Sequence, residues 1–127
     1  MFGAEEFRHQ LRSIGIEAAL YEETKVVFPF AVSLGKYCGS ALKLGLVVPP
    51  DFPISPPSGP HLSPPLLPLH PQNDAGHPVG GVHASDDFER IAGDKWQYWS
   101  RPFLQWGTTD KSVRTYLRFL NQLFDTQ

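Results

Sequence analysis

The sequence predicts an α+β fold, and the periodicity of its apolar residues carries that prediction. They recur at helical spacing near the start, alternate at strand spacing in the middle, and return to helical spacing at the end. At 127 residues the chain suits one domain, 1–127. The predicted order is N-terminal helix, antiparallel strands, structured Pro-rich loop, aromatic segment, C-terminal helix.

Residues 4–14 read as an amphipathic helix, with Phe7, Leu11 and Ile14 on one face and Gly15 as its stop. Residues 17–22 and 25–33 are β-prone, and Pro29 inside the second run predicts an edge strand or a bulge. Gly35 to Gly39 forms a turn. Ala41 to Val48 is a further strand with Leu42, Leu44, Leu46 and Val48 on one face. Residues 49–83 form a long irregular passage. Ten of the 13 prolines lie between Pro49 and Pro71, where their fixed dihedrals can keep an irregular path ordered. A solvated polyproline linker or ligand would not need Phe52, Ile54, Leu62, Leu66, Leu67 and Leu69 in the same stretch. Ser85, Asp86 and Asp87 open a short helix, Asp87 to Ile91. Trp96, Tyr98, Trp99, Phe103 and Trp106 make an aromatic cluster. A last helix begins near Thr108 or Thr109, with Val113, Tyr116, Leu117, Leu120 and Phe124 facing the core.

Composition excludes several classes. The net charge is −2 with no basic run, so nucleic acid is not an expected partner. The apolar stretches are too short to span a bilayer, and Met1 to Gln10 lacks the apolar region of a signal peptide. The single cysteine, Cys38, rules out an internal disulfide and points to a reducing, cytoplasmic setting.

Residues 48–57 read Val-Pro-Pro-Asp-Phe-Pro-Ile-Ser-Pro-Pro. This resembles the ubiquitin-conjugating-enzyme family, whose third strand ends in Pro and then Tyr-Pro-x-x-Pro-Pro. Tyr37-Cys38-Gly39 is similar to that family's Tyr-x-Gly-Gly turn, and Leu69-His70-Pro71-Gln72-Asn73 to its His-Pro-Asn loop with Gln72 inserted. Gln105-Trp106, with the helix that follows, resembles its Trp-x-Pro segment without the proline. Trp96-Gln97-Tyr98-Trp99-Ser100-Arg101 looks like a signature of bacterial members, which occur near genes for ubiquitin-like proteins and their activating enzymes. The motifs come in the family's order and cover nearly the whole chain. Together with the element order they predict the ubiquitin-conjugating (UBC) fold, with a four-stranded antiparallel meander. The resemblance implies a carrier that receives the C-terminal carboxyl of a ubiquitin-like protein from an activating-type enzyme and passes it to a target protein. The family's cysteine follows the His-Pro-Asn loop by roughly ten residues; here Gly80-Gly81-Val82-His83-Ala84-Ser85 has no thiol.

A carrier needs an exposed nucleophile and a donor for the tetrahedral oxyanion. Cys38 lies in the turn before a strand, far from the expected position, and reads as a turn or partly buried cysteine. Ser85 is the best-placed hydroxyl. His83 lies two residues away, on the same face of an extended segment, and could serve as its base. Ser85 reads equally well as the cap of the short helix. Ser100 is a second hydroxyl, with Arg101 as a possible oxyanion partner, or else a core hydroxyl bonded among aromatics. His70 and Asn73 either place an oxyanion donor, as the resemblance implies for the Asn, or fasten their loop. His61, His70, His77 and His83 with Asp74 lack tight ligand spacing, so no metal is expected, and no cofactor is either. The absence of a Gly-x-Ser-x-Gly elbow argues against a hydrolase. Two functions remain open: a serine-oxyester carrier in a bacterial-type ubiquitin-like conjugation pathway, or a non-catalytic variant that binds a ubiquitin-like protein or activating enzyme.

Overall fold

The apolar stripe near the N-terminus folds as helix α1 (Gly3–Ser13), which buries Phe7 and Leu11 completely. Gly15 takes a φ of +87°, which suits a residue without a Cβ and ends the helix where expected. The computed structural model describes residues 2–33, 38–66 and 82–126, and within these all side chains but those of Val82, His83 and Thr126.

Three strands follow: β1 (Ala19–Tyr21), β2 (Lys25–Ala31) and β3 (Ala41–Val47). Pro29 is on neither a bulge nor an edge strand, since β2 lies between β1 and β3. However, β1 reaches only as far as Val27, so at Pro29 the strand has one partner and no ladder bond is lost on the open side. Leu42, Leu44, Leu46 and Val48 are buried on one face, as their alternation requires.

The passage after β3 is described through residue 66 and again from residue 82. It is fastened at several points. The Phe52 carbonyl accepts from Gly3 N at 3.0 Å, and Ser58 exchanges bonds with Val47 through both its backbone N (2.9 Å) and its hydroxyl (3.0 Å). Trp106 Nε1 donates to the Pro53 carbonyl at 2.9 Å, and the buried Tyr116 hydroxyl donates to the Ser58 carbonyl. The Phe52 ring fills the space between Phe7 and Trp106, with ring centroids 5.3 and 6.0 Å away. Gly59 passes so close to the backbone at Trp99 that a Cβ there would lie 2.3 Å from the Trp99 carbonyl oxygen.

This passage is not wholly irregular: it contains β4 (His61–Ser63) and ends in β5 (Val82–Ala84). Helix α2 (Asp86–Ala92) follows, then β6 (Gln97–Trp99) out of the aromatic segment. The described residues form a six-stranded antiparallel sheet in the order β1-β2-β3-β4-β6-β5. The meander of four strands is present as β1 to β4, and the β5–β6 pair extends it. Short strands beside prolines carry little periodic signal, so sequence pattern alone does not find them.

The last helix, α3 (Val113–Thr126), starts later than expected. A 3-10 turn at Trp106–Thr108 precedes it, and Lys111 adopts a φ of +56°, which a right-handed helix does not accommodate. Ser112 caps the helix, its hydroxyl accepting from Thr115 N at 3.2 Å. Gln10 of α1 accepts from Val113 N at 2.9 Å and so joins the two helices. Both helices pack on the sheet face that presents Phe28, Leu44, Leu62 and Trp99, and this is the main core. Cys38 is exposed in the β2–β3 turn.

On α3, Leu120 is fully buried but Leu117 only half so. Leu120→Ala should therefore cost about 2–5 kcal/mol and Leu117→Ala distinctly less, read from urea denaturation midpoints. Equal losses would mean that the helix sits rotated from the orientation described.

Candidate functional site

The sheet's other face is built on one row. Val27, Gly45, His61, Tyr98 and His83 stand opposite one another across β2, β3, β4, β6 and β5. Helix α2 covers this row. Its Phe88 ring lies against Gly45, where an added Cβ would come within 2.4 Å of the ring, so the glycine makes the notch that receives it. Arg90 forms a two-pronged pair with Glu22 of the β1–β2 turn at 3.0 and 3.1 Å, and Glu22 also accepts from Lys25 at 2.9 Å. Those two cations hold the Glu22 carboxyl down to about 2.

With α2 seated in this way, Ser85 at its start meets β4. Ser85 Oγ and His61 Nδ1 are 2.6 Å apart. The imidazole is sandwiched between Phe88 and Tyr98, with ring centroids 4.3 and 4.4 Å away. Burial pushes its pKa down to about 4; the Asp87 carboxylate opposes that shift and Lys25 adds to it. At neutral pH the ring is therefore uncharged. In the tautomer with the ring proton on Nε2, the serine hydroxyl donates to Nδ1, which is the arrangement a nucleophilic hydroxyl requires. His61, Ala84, Ser85, Asp86, Asp87 and Tyr98 line an open depression of about 280 Å³ above the pair.

Ser85 does occupy the N-cap position of α2, and its carbonyl accepts from Glu89 N at 3.1 Å. Its side chain makes no capping bond; the hydroxyl goes to His61. The base expected from sequence, His83, has its backbone in β5 opposite Tyr98, and its side chain lies outside the described residues. His70 and Asn73 also lie outside them, as do His77 and Asp74. Ser100 is exposed just after β6 and is not the core hydroxyl that one reading expected. Arg101 Nη1 donates to the Ser100 carbonyl at 3.1 Å. Trp99 and Trp106 are core residues; Tyr98 alone of the row's aromatics from β6 reaches the candidate site.

His61 is the residue that sequence spacing passes over, except as a zinc candidate. It stands 24 positions before Ser85, and the pairing of β4 and β5 on either side of β6 brings the two together. Among the described residues no group of His, Cys, Asp and Glu could hold a metal ion, and no helix is long and apolar enough to cross a membrane. No family model, curated protein or solved structure matches the chain.

The neutral histidine gives a pH signature. Its folded pKa of about 4 lies below the unfolded 6.5, so the unfolded chain binds the proton first. The contribution is fully present above pH 6.5 and is lost as the pH falls towards 4. The loss amounts to at most about 3 kcal/mol, reduced by whatever solvent reaches the ring. Urea unfolding at steps between pH 7.5 and 4 should show this decline in the native protein and a shallower one in His61→Gln. Identical slopes would mean that the imidazole titrates normally.

Proposed function

We propose that the chain is a ubiquitin-conjugating-enzyme-like acyl carrier of the bacterial type, with Ser85 as nucleophile and His61 as its base. The observation that carries this is the 2.6 Å contact between Ser85 Oγ and His61 Nδ1, under an open depression. Support also comes from the order of parts. A strand runs into the Pro-Pro…Phe-Pro-x-x-Pro-Pro segment, a hydroxyl stands downstream of His70-Pro71, and Trp106 precedes the last helix. That is the order which the resemblance to the UBC fold implies.

The donor in this reaction is a ubiquitin-like protein held as a thioester on an activating-type enzyme. Ser85 Oγ adds to the thioester carbonyl while its proton passes to His61 Nδ1. The C–S bond then breaks and the thiolate leaves with the proton that the imidazolium returns. A target amine later attacks the oxyester carbonyl, the C–O bond breaks, and the proton that the amine loses passes to the departing Ser85 Oγ. An imidazole with a pKa near 4 is a weak base, so the acyl group must arrive already activated, and a thioester is.

A second function is favoured by one observation. Ser85 is only 4% exposed and its hydroxyl is already bonded. In a non-catalytic variant of the same fold, the pair would act as a clasp that holds α2 to the sheet, and the chain would bind a ubiquitin-like protein or activating enzyme without carrying it.

Incubation with an activating enzyme, ATP and a ubiquitin-like protein separates the two. The carrier should give an adduct that resists thiol reductants and yields to hydroxylamine or base. Ser85→Ala should abolish it, and His61→Gln should slow it by about tenfold or more. Cys38→Ser and Ser100→Ala should leave it largely intact. Failure of the native chain to form any adduct would establish the non-catalytic variant, and loss in Ser100→Ala alone would move the nucleophile to Ser100.

A further inference from the structure

The charges around the Ser85–His61 pair are arranged in a chain. Asp87, in the first turn of α2, lines the same depression as His61 and Ser85. Its Oδ1 lies 3.8 Å from Arg90 Nη2. Arg90 in turn is held by both oxygens of Glu22, at 3.0 and 3.1 Å, and Glu22 also holds Lys25. Arg90 therefore stands between two carboxylates, and its closer bonds are to Glu22. Asp87 thus stands on the side of the depression where an imidazolium would form as Ser85 gives up its proton.

We propose that Asp87 is the electrostatic partner of the Ser85–His61 pair, and that the Glu22–Arg90 ion pair sets how much of the Asp87 charge His61 feels. The proposal rests on the carrier function above and extends it to residues outside the bonded Ser85–His61 pair. Asp87, Arg90 and Glu22 are positioning residues here. The other charged groups that face the ring are Lys25 from β2, which Glu22 holds, and Asp86 from the first turn of α2.

The chain of charges makes a sign prediction that simple anchoring of α2 does not. Without the Glu22 charge, Arg90 turns to Asp87 and Lys25 is released, and both changes make a protonated His61 less favourable. Without the Arg90 charge, Asp87 is left to His61 alone, and protonation becomes easier. If the ion pair only anchored the helix, removal of either partner would have the same effect.

The test is NMR titration of the His61 ring, its resonance assigned by its loss in His61→Gln. Glu22→Gln and Asp87→Asn should lower the titration midpoint, and Arg90→Gln should raise it, each by about 0.3 of a pH unit. About 0.5 M salt should shrink all three shifts, since these side chains are exposed. If acid unfolding comes first, the same sign split is read from the acid midpoint of each variant against that variant carrying His61→Gln. Shifts of the same sign in Glu22→Gln and Arg90→Gln, or no shift in Asp87→Asn, would overturn the proposal. The titration needs no acyl donor, so this failure is distinct from failure of the adduct assay, which would remove the carrier function itself.

Discussion

The structure depends most on the lacing of the Pro-rich strap, residues 49–60, to the two long helices. Phe52 enters the core as a wedge between Phe7 of α1 and Trp106 ahead of α3. The polar groups around it are matched one by one: Gly3 to Phe52, Trp106 to Pro53, Tyr116 to Ser58. A segment rich in proline offers few N–H donors, so its carbonyls must find donors elsewhere when they are buried. Here the donors come from side chains and from the start of α1. The strap therefore leaves β3 along one fixed path and delivers His61 to the sheet row that ends at Tyr98 and His83.

That path joins two layers with different tasks. One face of the sheet packs Phe28, Leu44, Leu62 and Trp99 against α1 and α3 and carries most of the apolar burial. Among the described residues the other face carries α2 alone, held by a ring in a glycine notch, an exposed ion pair and the serine–histidine bond. The first layer can stay rigid while the second is adjusted, because few of the contacts of α2 reach the main core. An exposed ion pair adds little to stability. The main apolar burial and the Ser85–His61 pair thus reside on opposite faces of the sheet.

The sequence made the strongly periodic elements legible. Phe7 and Leu11 mark α1, Leu42 to Val48 marks β3, and Val113 to Phe124 marks α3, since each buries a repeating face. It was silent where structure depends on distant partners. His61–Ser63 and Gln97–Trp99 are too short to show alternation and form strands because neighbours offer them ladders. The start of α3 was misplaced because Lys111 bends left-handed while Asp110 accepts from Ser112 and Thr115, a local competition that helix periodicity does not encode. Ser85 could be picked out from its place after the glycine pair and before an acidic helix start. The His61 contact could not, since it joins residues 24 positions apart, while the side chain of the expected partner, His83, lies outside the described residues.

The two tight glycines bear on how variation in this gene would be felt. Every missense change at codon 45 or 59 adds a Cβ, so neither position has a conservative replacement. The outcomes differ in kind. At Gly45 the obstacle is the Phe88 ring, so a variant can keep its main core and lose the seat of α2. At Gly59 the obstacle is the backbone at Trp99, which cannot step aside without parting the strap from β6. Alleles at the first position would yield folded chains with a disconnected serine, and alleles at the second would reduce the amount of protein.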